Sequence, residues 1–461
     1  MSALWTKGLN IISLSSYLIK ISEMKVLKFG GTSVGSAERM RGVADIVVND
    51  EPKIVVLSAM SGTTNSLVAI GEKLYADDKE GAKKAITDLE YKYFETVKEL
   101  YKADQYQEKA NAIINEHFDF MKSFVVNVFN LFQERALLAQ GELLSTKMFH
   151  LFLEENGVES ALLPALDFMR INRDEEPDMD YIRDHAEIEL KKRPGINLFI
   201  TQGYICRNSY GEIDNLKRGG SDYTASIVGN AVNASEIQIW TDIDGMHNND
   251  PRVVDKTKPV AKLSFDEAAE LAYFGAKILH PQSIRPAAQL GIPVKLLNTM
   301  DPKAKGTTIS NETGEGFVKA IAAKEGITAI KIKSARMLLA YGFLRSVFEV
   351  FERYKTPIDM ITTSEVAVSL TIDDTSNLDK ITQELEAFGL VEVDTDQSIV
   401  CIVGNMVSET EGAAIKIFEA LKNVPIRMIS YGGSRHNISV VVDAQYKQKA
   451  LQSLNSGLFT F

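Results

Sequence analysis

The stretch Lys25-Val26-Leu27-Lys28-Phe29-Gly30-Gly31-Thr32-Ser33 decides the fold. A short strand-forming run passes directly into two glycines and two hydroxyl residues, and a helix-forming run begins at about Ser36. Strand, glycine turn and helix in that order open an α/β layer, with the turn at the carboxyl end of the strand. Consecutive glycines let backbone N–H groups approach a polyphosphate, the hydroxyls of Thr32 and Ser33 add donors, and the helix start adds positive potential. Lys28 then stands at the strand end as a mobile cation for a transferring phosphoryl group. Alone, a Gly-Gly turn is equally an ordinary tight turn. GxxxxGK[ST] is missing and no GxGxxG occurs, so neither a P-loop nor a dinucleotide fingerprint is present.

Outward from this stretch, further strands are expected at 53–59 (KIVVLSA), 197–205 (NLFITQGYI), 236–242 (EIQIWTD) and 294–298 (VKLLN). They are near-continuously apolar, the pattern of strands covered on both faces, so a parallel, helix-flanked sheet is expected. From about 66 to 152 the chain is charged, helical in pattern and free of proline, and reads as several helices forming a lobe. The texture changes at 310–316 (SNETGEG), a polar, glycine-bearing linker. Beyond it Pro357-Ile358-Asp359-Met360-Ile361 returns as Pro425-Ile426-Arg427-Met428-Ile429. Each copy follows a helix-like stretch and precedes an alternating strand, which predicts two copies of a small βαβ-type unit.

Composition bounds the function. The 461 residues suggest about three domains. With 45% hydrophobic and 25% charged residues the chain is globular, and a net charge of −11 without a basic tract argues against a nucleic-acid partner. Two cysteines, Cys206 and Cys401, form no disulfide framework and no metal-ligand spacing, which points to a reducing, cytoplasmic setting. The apolar run at 9–19 is shorter than the roughly 20 residues that span a bilayer, so no membrane partner is expected. Residues 1–23 are expected to be an unstructured extension ahead of Met24.

Three more clusters carry chemistry. Arg218-Gly219-Gly220-Ser221-Asp222-Tyr223-Thr224 again leads glycines into a helix. The guanidinium of Arg218 suits a substrate carboxylate and Asp222 could orient Lys28, while Ser221 reads equally as a helix cap. Thr241 and Asp242 end a predicted strand, followed by Gly245 and Asp250-Pro251-Arg252; a surface turn explains Gly245 and Pro251 well and Arg252 poorly. Phe274-Gly275-Ala276-Lys277-Ile278-Leu279-His280-Pro281 sets Lys277 in an apolar stretch, where an ammonium needs a partner or a phosphate. His280 reads as a helix-end or packing residue. Basic groups at separate strand ends with two glycine turns suggest phosphoryl transfer by positioning and electrostatics.

Taken together, KFGGTS at 28–33, QGE at 140–142, RGGSDYT at 218–224, WTD at 240–242, DPR at 250–252 and FGAKILHP at 274–281 resemble the aspartate kinases of the amino-acid kinase family. The resemblance runs from Met24 to the end of the chain. It implies a catalytic domain at 24–312 with the mainly parallel, helix-flanked amino-acid kinase fold. Two ferredoxin-like ACT regions at 313–396 and 397–461 would follow it. The implied reaction is transfer of the γ-phosphoryl group of ATP, accompanied by Mg2+, to the β-carboxylate of L-aspartate, the first step towards lysine, threonine and methionine.

By motif, Lys28 and Asp222 are the implied catalytic pair. Thr32, Glu142, Arg218 and Ser221 would bind substrate, with Glu142 on the ammonium and Arg218 on the α-carboxylate. Lys28, Gly30, Gly31, Thr241, Asp242, His247, Arg252 and Lys277 would hold the nucleotide, and no protein metal site is implied. His247 stands where many relatives place a tyrosine. An effector site like that of lysine-inhibited members is implied at Met337, Gly342, Phe343, Leu344, Asp359, Ser364 and Glu365, with Ala340 replacing a common serine. ACT regions typically pair across a dimer, so a homodimer is expected, with a tetramer left open. Kinases for glutamate, acetylglutamate or UMP share such a core but lack this repeat combined with RGGSDYT and FGAKILHP. A non-catalytic ACT sensor would not need Lys28 and Asp222.

Overall fold

The computed structural model describes residues 23–216, 220–275, 279–314, 316–334 and 341–460. The chain forms two compact units, one within Met1–Gly245 and Leu279–Glu312 and the other within Met246–Ile278 and Thr313–Phe461.

In the first unit the main sheet contains β1 (Lys25–Phe29), β2 (Lys53–Leu57), β3 (Ala161–Leu162), β4 (Leu198–Gln202), β5 (Glu236–Thr241), β6 (Val294–Asn298) and β7 (Thr307–Ser310). Their spatial order is β3-β4-β2-β1-β5-β6-β7. All neighbours are parallel except β6 and β7. β2 and β4 are buried at every position, as expected for strands covered on both faces. Central β1 pairs Lys28 with Val56 on one side and Ile239 on the other, so its end opens between two parallel neighbours.

The longer helices are α1 (Ala37–Val47), α2 (Thr63–Tyr75), α3 (Lys79–Leu100), α4 (Asp104–Ser123), α5 (Leu131–Glu155), α6 (Met179–Lys191) and α7 (Gly220–Ala231). The four from α2 to α5 form the expected lobe. Its proline-free helices pack around Tyr93, Phe118 and Leu137, with Tyr93 and Phe118 edge to face at 5.6 Å. α5 starts with a capping box in which Asn130 accepts from the backbone and Gln133 reaches back to it.

Three expected strands run shorter than their patterns, β5 by Asp242 alone. β2 ends at Leu57, leaving Ser58 and Ala59 outside it. β4 ends at Gln202, because Tyr204 takes a left-handed φ of 68° and starts a turn.

The second unit is built on an antiparallel sheet of β8 (Ala320–Lys333), β9 (Met360–Thr363), β10 (Ala367–Ile372), β11 (Leu390–Val403), β12 (Met428–Ser430) and β13 (Asn437–Asp443), ordered β9-β10-β8-β11-β13-β12. Both repeats share this sheet. The far half of β8, Thr328–Lys333, lies between β10 and the start of β11, whereas Ala320–Lys324 lies against Ile399–Val403, which in turn pairs with β13. A chain division at 396 therefore falls inside one continuous strand.

Helices α8 (Phe265–Tyr273), α9 (Phe343–Arg353), α10 (Leu378–Leu385), α11 (Ala413–Ala420) and α12 (Lys447–Leu458) complete the unit. Separate apolar clusters stand behind the two repeats, one on Ile330, Val347, Phe351 and Leu370 and one on Val400, Ile402, Ile417 and Leu454. Residues 246–275 pack here because Val254 enters the second cluster and the Asn249 side chain donates to the Leu451 carbonyl at 3.1 Å.

Candidate active site

The site of the first unit gathers where β1 and β2 end. Lys28 Nζ lies 2.6 Å from Asp222 Oδ1, which joins the strand end to the first turn of α7. Both side chains are largely buried, so the pair is screened little by solvent. Gly30 and Gly31 follow. A Cβ on Gly31 would lie 3.0 Å from the Ala59 carbonyl oxygen, so the turn needs a residue without one. Ser36 then caps α1, its Oγ accepting from the Arg39 amide at 3.3 Å. Thr32 is exposed on the turn, while Ser33 is buried with its hydroxyl 2.8 Å from that of Thr299.

Ser58 and Ala59 form the hub. Ser58 Oγ donates to Ser221 Oγ at 2.8 Å, and the Ala59 amide donates to Glu142 Oε1 at 3.3 Å. Ser145 Oγ donates to the Ser58 carbonyl at 2.8 Å, clamping the Glu142 turn of α5 onto the end of β2. Gly203 lets α7 approach, since a Cβ there would fall 2.3 Å from Ser221 Oγ and 2.9 Å from Ser221 Cα. Glu142 is 4% exposed, and its buried Oε2 has no hydrogen-bond partner among the described residues. Burial pushes the Glu142 carboxyl up to about 8, against the weaker lowering effect of the Ala59 amide. A buried carboxyl with an unpartnered oxygen is suited to a substrate cation, which would ionise it and occupy that oxygen.

Lys28, Gly31, Glu142, Ser221 and Asp222 are thus linked by direct contacts through Ser58 and Ala59. Thr241 and Asp242 lie just past the Phe29–Trp240 pair of β1 and β5, beside the glycine turn. Gly245, with φ 115°, closes that loop where a Cβ would sit 2.6 Å from Thr307 Oγ1. His247 and Arg252 belong to the other compact unit. There His247 Nδ1 lies 2.9 Å from Thr257 Oγ1, and the exposed Arg252 is clasped by its own Asp250 at 2.8 Å. Arg218, Lys277 and Met337 lie outside the described residues. Ser58, Ala59, Ser145 and Gly203 were not singled out from sequence. The available signal was that Ser58 follows the last apolar residue of a parallel strand, a usual ligand-facing place.

In the second unit Asp359 is the organised member of the expected effector group. Its Oδ1 accepts from Tyr273 Oη at 2.8 Å and from Lys324 Nζ at 2.7 Å, and its buried Oδ2 has no hydrogen-bond partner among the described residues. Gly342 takes φ 86° as the residue before α9, and among the described residues no side chain caps the first amides of that helix. Phe343 packs edge to face on Phe388 at 6.2 Å, while Leu344, Ser364 and Glu365 are exposed. His280 caps the short helical turn Pro281–Ile284 and so has a helix-end role.

Fold and site define a small-molecule phosphotransferase of the α/β class with an appended ACT unit, and comparison with known proteins agrees. Residues 23–298 match the amino acid kinase family and residues 400–458 an ACT domain. The lysine-sensitive aspartokinase 3 of Escherichia coli is 36% identical over 452 residues, covering 95% of this chain and 100% of that protein. The crystal structure of E. coli aspartokinase III in complex with aspartate and ADP (R-state) superposes with a TM-score of 0.81 at 35% identity, covering 95% of this chain and 100% of that one. The same enzyme in complex with lysine and aspartate (T-state) gives 0.79 at 35% identity and the same coverage. The chain belongs to the aspartokinases of the amino acid kinase family. Among the described residues no helix is long and apolar enough to cross a membrane.

Proposed function

We infer that the protein transfers the γ-phosphoryl group of ATP to the β-carboxylate of L-aspartate, giving ADP and 4-phospho-L-aspartate, at the head of lysine, threonine and methionine biosynthesis. The observation that carries this is the Lys28–Asp222 ion pair at the end of β1, linked through Ser58 and Ala59 to a buried Glu142 with one oxygen unpartnered. A carboxylate oxygen attacks the γ-phosphorus as the bond to the ADP oxygen breaks, and no proton has to be removed from the nucleophile. The residues therefore position and stabilise charge. Lys28 meets the negative charge on the transferring group, Asp222 aims Lys28, and Gly30 and Gly31 admit the phosphates to backbone amides. Glu142 takes the substrate ammonium, Arg218 the α-carboxylate, Thr32 and Ser221 donate to the substrate, and Thr241 and Asp242 hold the nucleotide beside the glycine turn.

Mg2+ bound to the nucleotide phosphates would supply charge neutralisation during the transfer. Gly30 and Gly31, whose turn would admit the phosphates to backbone amides, are the residues that would lie beside such a phosphate-borne ion. Lysine is the proposed effector at Asp359, in keeping with the E. coli enzyme, named lysine-sensitive and crystallised with lysine. A homodimer through the ACT sheet is part of this reading, and Ile361 on β9 and Ile429 on β12, matching positions of the repeat, are 37% and 41% exposed, apolar side chains that a partner subunit would cover. Cys206 and Cys401 are buried free thiols, in keeping with a cytoplasmic enzyme. An ADP-release assay with aspartate against glutamate tests the substrate; turnover of glutamate in preference to aspartate would overturn it.

A further inference from the structure

Tyr273 is the last residue of α8 and lies in the stretch matched to the amino acid kinase family, yet it packs within the ACT-bearing unit. Its hydroxyl donates to Asp359 Oδ1, the oxygen that also accepts from Lys324. Lys324 Nζ stands 4.7 Å from the Tyr273 ring centroid and 2.8 Å from Asp373 Oδ2, so ring, ammonium and two carboxylates form one knot. The Asp359 side chain is 1% exposed. Burial, together with the bond to Asp359, raises the Tyr273 hydroxyl well above its ordinary range, so it stays a donor.

Two residues on, Gly275 takes φ 119°, and a Cβ there would fall 2.2 Å from the Ala323 carbonyl oxygen. Gly275 is therefore pressed against β8 beside Lys324. Asn437 on β13 adds a hold on α8, donating to Glu270 Oε2 at 2.8 Å.

On the reading of Asp359 as an effector contact, we propose that Tyr273 is a positioning residue of the effector site. Its hydroxyl ties the carboxylate that receives an amino-acid ammonium to α8, a helix of the stretch matched to the amino acid kinase family. An ammonium presents three donors and no acceptor, and the unpartnered Oδ2 is where it can bind. Once there it draws on the same carboxylate charge that holds Tyr273 and Lys324. A ligand shifts a conformational equilibrium only through differential contacts, and Tyr273 supplies one that changes on effector binding at Asp359 and acts on α8.

The test uses the full chain and calorimetric titration of lysine, with and without saturating aspartate and a non-hydrolysable ATP analogue. In the wild type these ligands should weaken lysine binding by about 5-fold to 150-fold, the usual span of such couplings. Tyr273→Phe should keep lysine binding and basal turnover while the coupling factor falls towards one. Tyr354→Phe removes another hydrogen-bonded hydroxyl of the same unit, that on Glu384, and should keep the wild-type factor. An unchanged factor in Tyr273→Phe, or an equal loss in Tyr354→Phe, overturns the role of Tyr273 and leaves the effector site standing. Absence of lysine binding to the wild type overturns the effector reading and this role with it.

Discussion

Lys28 Nζ and Asp222 Oδ1 lie 2.6 Å apart, joining the central strand of the parallel sheet to the start of α7. The ammonium is thereby aimed while it keeps donors for a phosphoryl oxygen. Lys28→Met should lower kcat by roughly 100-fold to 1,000-fold, the scale of losing one electrostatic stabiliser, with the far-UV circular dichroism spectrum unchanged. Asp222→Asn keeps the shape but loses the charge that aims Lys28, and it too should act on kcat. Near-full turnover in a folded Lys28→Met protein would refute the assignment.

Glu142 makes the site pH-dependent in a definite direction. With its carboxyl raised to about 8, the free enzyme holds it neutral at lower pH, and it then offers the aspartate ammonium no charge. kcat/KM for aspartate should climb with pH up to about 8 and then level off. kcat at saturating aspartate should lack that limb, because the bound ammonium favours the ionised form. Glu142→Gln should abolish the limb and leave kcat/KM low and flat. For stability, the folded state binds more protons than the unfolded one between the ordinary carboxylate range and about 8, so this group's contribution is greatest in acid and declines as pH rises through that window. Melting temperatures of wild type and Glu142→Gln across this range would show it.

Gly203 offers a test that touches no reacting group. An added methyl would meet Ser221 at Oγ and Cα, and backbone cannot step aside as a flexible side chain does. Gly203→Ala should push the start of α7 off the end of β2 and break the Ser58–Ser221 bond. The KM for aspartate should rise and kcat fall as Asp222 shifts, in a protein that still folds. Wild-type values for both constants would mean that the approach of α7 does not set the site.

The strand patterns and the motifs in the turns after them were legible because buried parallel strands and glycine turns leave local signals. KVLKF and VKLLN match β1 and β6 residue for residue. Ser58 and Ala59 were not legible as a hub. They continue an apolar run, and their role comes from partners 163 and 83 residues away in sequence. Gly203 was hidden for the same reason, since its neighbour Ser221 is set by tertiary packing. In the second unit the pentapeptide repeat marked two similar pieces, but β8 and β11 each serve both, and strand sharing leaves no trace in local periodicity. Nor could spacing reveal that Asp359 is already engaged by Lys324 and Tyr273.

The proposal of lysine as effector rests on the chemistry around Asp359. Its buried Oδ2 can take an ammonium, the exposed Glu365 offers a second carboxylate, and the turn at Gly342 offers backbone amides to a carboxylate. Lysine carries two ammonium groups and one carboxylate, whereas threonine carries one ammonium and a hydroxyl, so lysine matches the two acids. Lys324 shares Asp359 and is a like charge to the incoming ammonium, so binding there has to overcome repulsion as well as desolvation. Lys324→Met should therefore tighten lysine inhibition, and Asp359→Ala should abolish it. Initial rates at limiting aspartate with millimolar lysine or threonine decide the matter. Inhibition by threonine without lysine would end the lysine assignment, and indifference to both would end the regulatory reading of Asp359.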